Sequence, residues 1–194
     1  MSHPFRVATL IGSTSTRSRT QALVEAIVAA LSRHLPVKVD ELALSRLASD
    51  FGRALTPADL SPCARSALHA LEHADLLVVA TPVYKGSYPG LFKHVIDFID
   101  PDALVGRPVL LAATGGGERH ALVVEHQLRP LFAFFRAQTV PAGVYACEAE
   151  LSGYAVSSPA LQRRIDEAAA QAARLLHQAS LRTLPQAQAE PVLG

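Results

Sequence analysis

A chain of 194 residues suits one domain, with a core large enough to stand without disulfide or metal support. Eighteen Lys and Arg offset seventeen Asp and Glu, and the resulting charge of +1 excludes a broadly basic nucleic-acid or membrane surface, so any anion site must be local. Cys63 and Cys147 stand outside any CxxC or Cys/His ligand spacing, which excludes structural zinc and leads us to expect buried thiols in a reducing cytoplasm.

The opening stretch MSHPFRVATLIG lacks a long apolar segment followed by a cleavage site, and no stretch approaches the roughly 18 apolar residues of a membrane span, so a soluble, unprocessed protein is expected. Residues 5–11 form the first short apolar run. Further runs at 37–42, 76–80, 108–114 and 139–147 make five predicted strands. Helical periodicity fills the intervals at 18–35, 62–74, 89–99 and 120–137, and a last helix is predicted over 159–181. In the first helix Ala22, Leu23, Ala26, Ile27, Ala30 and Leu31 share a face, and Ser18 and Gln21 have capping-box spacing. Strands this continuously apolar, alternating with helices, predict a doubly wound α/β domain with a parallel sheet covered on both faces. One domain is expected over residues 1–182, with a disordered tail over 183–194.

Ligands of such sheets bind beyond the carboxyl ends of the strands. Three segments there are polar or rich in glycine. The first, GSTSTRSRT at 12–20, combines hydroxyls, Arg17, Arg19 and the free amides of a helix start, which together suit a phosphate. Neither GxxxxGK[ST] nor GxGxxG is present, so one terminal phosphate matches better than a triphosphate or a dinucleotide. The second, TPVYKGSYPGLFKH at 81–94, offers the aromatic faces of Tyr84 and Tyr88, and close backbone approach at Gly86 and Gly90. Pro89 belongs at the first turn of the following helix, and Lys85 could set its charge near a reduced, anionic ring. A flat heterocycle with polar edges suits this loop; a plain cover for the core's edge is the alternative reading. The third, ATGGGERH at 113–120, exposes the amides of Gly115, Gly116 and Gly117. His120 either meets a ligand or second substrate, or is a solvated capping residue.

No GxSxG, HExxH, CxxxxxR or paired-carboxylate signature occurs in these loops. Chemistry without a side-chain nucleophile points to a cofactor that does the redox work while the protein positions it. In the 120–137 helix Val123, Val124, Leu128, Leu131, Phe132, Phe134 and Phe135 point nearly all round, so more than one face must be buried, and a partner subunit is the natural cover. Pro130 should kink or bulge that helix, as a π-bulge would.

Together, GSTSTRSRT, TPVYKGSYPGLFKHVIDFI and ATGGG resemble the NAD(P)H-dependent FMN reductases of flavodoxin-like fold. The likeness is greatest to the sulfonate-utilisation type, which hands reduced FMN to a partner monooxygenase. The resemblance implies a five-stranded sheet of order 2-1-3-4-5. It implies a flavin phosphate held by Ser13, Ser18, Arg19 and Thr20, a ring against Pro82, Val83, Tyr84 and Lys85, and Arg17, Ser87, Thr114 and Gly115 to Gly117 completing the flavin site. No side chain is assigned as catalytic and no metal is implied. In the alkanesulfonate reductases an inserted tyrosine forms a π-bulge at the tetramer interface, and His126 falls at the matching position, so His120 and His126 are second-substrate or interface candidates. The implied partners are FMN, NADH or NADPH, an FMNH2-dependent monooxygenase and further copies of the chain. The alternatives are a flavin-retaining quinone or azo-dye reductase and, less favoured by the near-neutral charge, a non-enzymatic FMN-binding electron carrier or regulator.

Overall fold

The computed structural model describes residues 3–183. β1 (Phe5–Ile11), β2 (Val37–Ala43), β3 (Leu76–Pro82) and β4 (Pro108–Gly115) are joined by α1 (Arg19–Ser32), by α2 (Leu44–Arg53) with α3 (Pro62–Glu72), and by α4 (Gly90–Ile96). With β5 (Gln138–Thr139) the sheet has the order β2-β1-β3-β4-β5, and every pairing in it is parallel. β3 is buried along its whole length, and β4 nearly so, because helices cover both faces. Leu23, Ile27 and Leu31 of α1 pack with Leu161, Ile165 and Ala172 of α6 (Pro159–Thr183) on one face. Phe51, Leu68, Phe92, Val95, Leu128 and Phe132 fill the other.

Several sequence expectations change. The fifth strand, expected unbroken over 139–147, is split into β5 (Gln138–Thr139) and β6 (Val144–Cys147), both on β4. Pro141 has no N–H to give a ladder. Gly143 lies so close to Val124 that a Cβ there would meet its Cγ1 at 2.5 Å. α2 was not predicted: its cap position is Ala43, without a side-chain cap, although Leu44, Leu47 and Phe51 are buried at helical spacing. Only half of the expected capping box forms. Ser18 Oγ accepts from Gln21 N at 3.1 Å, while the Gln21 side chain donates instead to Glu25 Oε1 at 3.0 Å. A two-stranded hairpin, β7 (Leu151–Ser152) and β8 (Ala155–Val156), also escaped prediction. Cys147 is buried as expected, but Cys63 is exposed.

The helix expected over 120–137 becomes a 3-10 turn at Glu118–His120, a π turn at Val124–Leu128 and α5 at Arg129–Phe134. Arg129 N–H reaches back five residues to the Val124 carbonyl, and Pro130 follows with no N–H of its own, so the wider turn leaves no donor stranded. Beyond Thr183 the expected tail lies outside the described residues. No described helix is long and apolar enough to cross a membrane.

Candidate active site

Parallel register brings the ends of β1, β3, β4 and β6 to one edge of the sheet, with Ile11 beside Ala80, Pro82 beside Thr114, and Gly115 beside Cys147. The chain leaves β1 through Gly12, whose N–H donates to Ala80 O at 2.8 Å. A Cβ at Gly12 would lie 2.8 Å from Phe92 and 3.0 Å from Thr81 Oγ1, so the loop can start this close to β3 only without a side chain. Ser13 is buried, and its Oγ accepts from Ser15 N at 3.3 Å. Ser18 caps α1. Since its oxygen accepts from Gln21, its hydroxyl proton remains available to donate outward.

Thr20, also buried, shares a 2.7 Å hydroxyl hydrogen bond with Thr114 and ties the start of α1 to the end of β4. Two guanidiniums stand at the rim. Arg17 lies over the Tyr154 ring, 4.9 Å from its centroid, and Arg19 is ion-paired with Glu148.

The second wall follows β3. Val83 N–H donates to Thr114 O at 2.8 Å, and Tyr84 and Ser87 then exchange backbone hydrogen bonds of 2.8 and 3.2 Å around a tight turn. Lys85 and Gly86 occupy that turn at φ of +53° and +88°, the left-handed pair that such turns require. Ser87 Oγ donates to Gln127 Oε1 at 3.0 Å, which fastens the turn to the π segment.

The third wall is the glycine loop. A Cβ at Gly115 would lie 2.2 Å from the Tyr145 hydroxyl, which itself donates to Gly117 O at 2.6 Å. Burial, then the neighbouring Cys147 and Glu150, push the Tyr145 phenol above its ordinary pKa, so it stays a donor at neutral pH. A Cβ at Gly116 or Gly117 would meet nothing within 4 Å, which leaves open space over the main chain. Beneath this loop, burial pushes the Glu150 carboxyl up, but hydrogen bonds from Arg164 and from Cys147 outweigh it and hold it below the usual carboxylate range.

These walls enclose a cavity of about 380 Å³. Residues 5–151 match the family model described as NADPH-dependent FMN reductase. The chain belongs to this FMN reductase family. It is 53% identical over 175 residues to the NADH-dependent FMN reductase SfnF of Pseudomonas fluorescens, covering 90% of this chain and 94% of that one. It is 50% identical over 179 residues to the FMN reductase (NADPH) of Pseudomonas aeruginosa, with the same coverage. Among solved structures, an oxidoreductase from Corynebacterium diphtheriae superposes with a TM-score of 0.80 at 38% identity, covering 91% of this chain and 99% of that one.

Of the flavin-site residues expected in this reductase, Ser13, Arg17, Ser18, Arg19, Thr20, Pro82, Val83, Tyr84, Thr114, Gly115 and Gly116 line the cavity. Three do not. Lys85 is exposed on the left-handed turn, Ser87 is spent on Gln127, and Gly117 presents its carbonyl to Tyr145. His120 lies on the adjacent 3-10 turn, off the cavity wall, and His126 faces a separate groove on α4 and α5. The cavity is completed by Ser15, Gly153 and Tyr154, which the sequence reading missed. Ser15 lay in the hydroxyl-rich loop and could have been included; Tyr154 reaches the site only through the unpredicted β7–β8 hairpin, where Gly153 turns the chain at φ +61°.

Proposed function

We propose that this NAD(P)H-dependent FMN reductase holds the flavin phosphate at the start of α1 and the ring between residues 82–84 and the glycine loop, and passes reduced FMN to a sulfonate monooxygenase. The observation that supports this most is the convergence of three turns with different chemistry on one cavity: hydroxyls and guanidiniums, an apolar Pro-Val-Tyr edge, and bare main chain. The residues present fit FMN. A helix start with a capping serine and two arginines suits a phosphate dianion, and the open space over Gly116 suits a ring edge approaching the backbone.

Bound FMN supplies the hydride acceptor for the reduced nicotinamide. What the chain contributes is placement. Ser18 and the α1 amides fix the phosphate end, Pro82 and Val83 form a flat wall, and Tyr84, half exposed, flanks the opening where a second ring can stack. No side chain is assigned as acid or base. Purified protein is expected to oxidise NADH or NADPH only when FMN is added and to lose its flavin on gel filtration. Oxidation without added flavin, or stoichiometric yellow protein after dialysis, would instead favour the flavin-retaining quinone or azo-dye reductase.

The assembly belongs to the same reading. Tyr88, Ile96, His126, Pro130, Leu131 and Phe134 line an apolar groove of about 630 Å³ between α4 and the π turn with α5, and Phe134 and Leu122 stand 68% and 64% exposed. Apolar exposure on this scale favours a subunit contact. We therefore assign a homotetramer built through the 120–137 segment, and a cytoplasmic home in keeping with two free cysteines. Light scattering that finds an active monomer would remove the tetramer.

A further inference from the structure

Glu148 opens the turn after β6, and its Oε1 accepts from Arg19 Nη2 across 129 positions of sequence. The pairing of Gly115 with Cys147 delivers Glu148 to the edge of the cavity, beside the glycine loop. Its position is anchored from below. Glu150, two residues on, accepts from Cys147 N at 3.2 Å and from Arg164 Nη2 at 2.7 and 2.8 Å, and Arg164 also donates to Tyr145 O at 3.1 Å. The Glu148 carboxylate is therefore carried on a fixed platform rather than on a free surface loop. Both partners of the Arg19 pair are about half exposed.

We infer that Glu148 competes with the terminal phosphate of the flavin for the Arg19 guanidinium, and so limits how tightly FMN is held. The inference rests on the phosphate site proposed above. Arg19 is the first residue of α1, beside the capping Ser18, and lines the cavity; Glu148 reaches it from outside. An arriving phosphate must take that guanidinium from the carboxylate or share it. In either case a second anion sits against the dianion and weakens its hold. Riboflavin, which shares the ring and ribityl chain but has no phosphate, is indifferent to Glu148. For a reductase whose reduced product must leave, a built-in competitor at the phosphate end loosens the flavin without disturbing the ring wall where it reacts.

The test is a fluorescence titration of FMN and of riboflavin against the wild type, Glu148→Gln and Arg19→Ala, at low and high salt. Glu148→Gln is expected to tighten FMN about two- to fivefold, the scale of an exposed ion pair. Riboflavin affinity should stay within about 1.5-fold, and the FMN gain should shrink as salt screens the charges. Arg19→Ala should weaken FMN alone. Weaker or unchanged FMN binding in Glu148→Gln would overturn the inference, since Glu148 would then orient Arg19 or do nothing to it. An equal change for both flavins would also overturn it, as the mark of a purely structural role. If the wild type binds FMN and riboflavin alike, the phosphate site itself fails and the inference falls with it; a wild type that prefers FMN, with Glu148→Gln unchanged, sinks the inference alone.

Discussion

Two concavities of the protein, the cavity at the strand ends and the groove on α4 and α5, are built in opposite ways. The cavity at the strand ends is the smaller, about 380 Å³ against about 630 Å³ for the groove on α4 and α5, yet its walls carry hydroxyls, amides and guanidiniums. The groove is lined mainly by aromatic and aliphatic side chains, with Lys93, Asp97, His126 and Gln127 among them and Phe134 left largely in solvent. Size is not what recommends the strand-end cavity as the proposed flavin site. What marks it is a set of polar groups held in place by close backbone approaches, at Gly12 and Gly115, that tolerate no side chain. The groove has no such constraint and is satisfied by any apolar cover, which is how a subunit contact behaves.

The sharpest way to break the first half of this contrast is Gly115→Ala. Its methyl would push the Tyr145 hydroxyl off Gly117, destabilising the fold by about 1–3 kcal/mol and lowering FMN turnover at least about tenfold. Adding Tyr145→Phe removes the atom at 2.2 Å and leaves the ring carbon at 3.2 Å, so melting and turnover should recover in part. A double variant no better than the single would mean the loop is held by something else. For the groove, Phe134→Glu should shift the assembly to smaller species in light scattering while FMN affinity stays within about twofold; an unchanged assembly would take the interface off this face.

A smaller effect concerns the platform under the glycine loop. Glu150 is held below the usual carboxylate range in the folded state, so its stabilising contribution is complete above its unfolded pKa and is lost as pH falls through the lower folded value. Relative to Glu150→Gln, the wild type should lose about 2–3 °C of melting temperature more between neutral pH and that acid range. Parallel melting curves would remove Glu150 as the titrating support. The smallest change is expected from Lys85→Ala, less than about twofold in FMN affinity, because Lys85 lies outside the cavity wall. A tenfold loss would return Lys85 to the ring site.

Much of the architecture was legible because β1, β3 and β4 are nearly continuous apolar runs and the loops after them carry hydroxyls or glycines in blocks. The strand order followed from the family resemblance, and the order in the structure agrees with it. Pro130 also announced a disturbed helix, and the π turn lies immediately before it. Other features were hidden because they arise from contacts distant in sequence. Tyr154 and Glu148 reach Arg17 and Arg19 only after β6 has paired with β4, and no local pattern near residue 150 signals that. α2 was missed because it begins without a side-chain cap, and nothing in the identity of Lys85 shows that it will sit exposed on a left-handed turn and off the cavity lining.

If the turns after β1, β3 and β4 form one site for a flavin with a terminal phosphate, that phosphate must govern flavin choice in turnover. Steady-state NADH and NADPH oxidation with FMN and with riboflavin, on the wild type and Arg19→Ala, tests it most directly. The wild type should prefer FMN in kcat/KM, and Arg19→Ala should erase about tenfold of that preference by raising KM for FMN alone. Equal use of FMN and riboflavin by the wild type, or an Arg19→Ala variant that loses both equally, would contradict it.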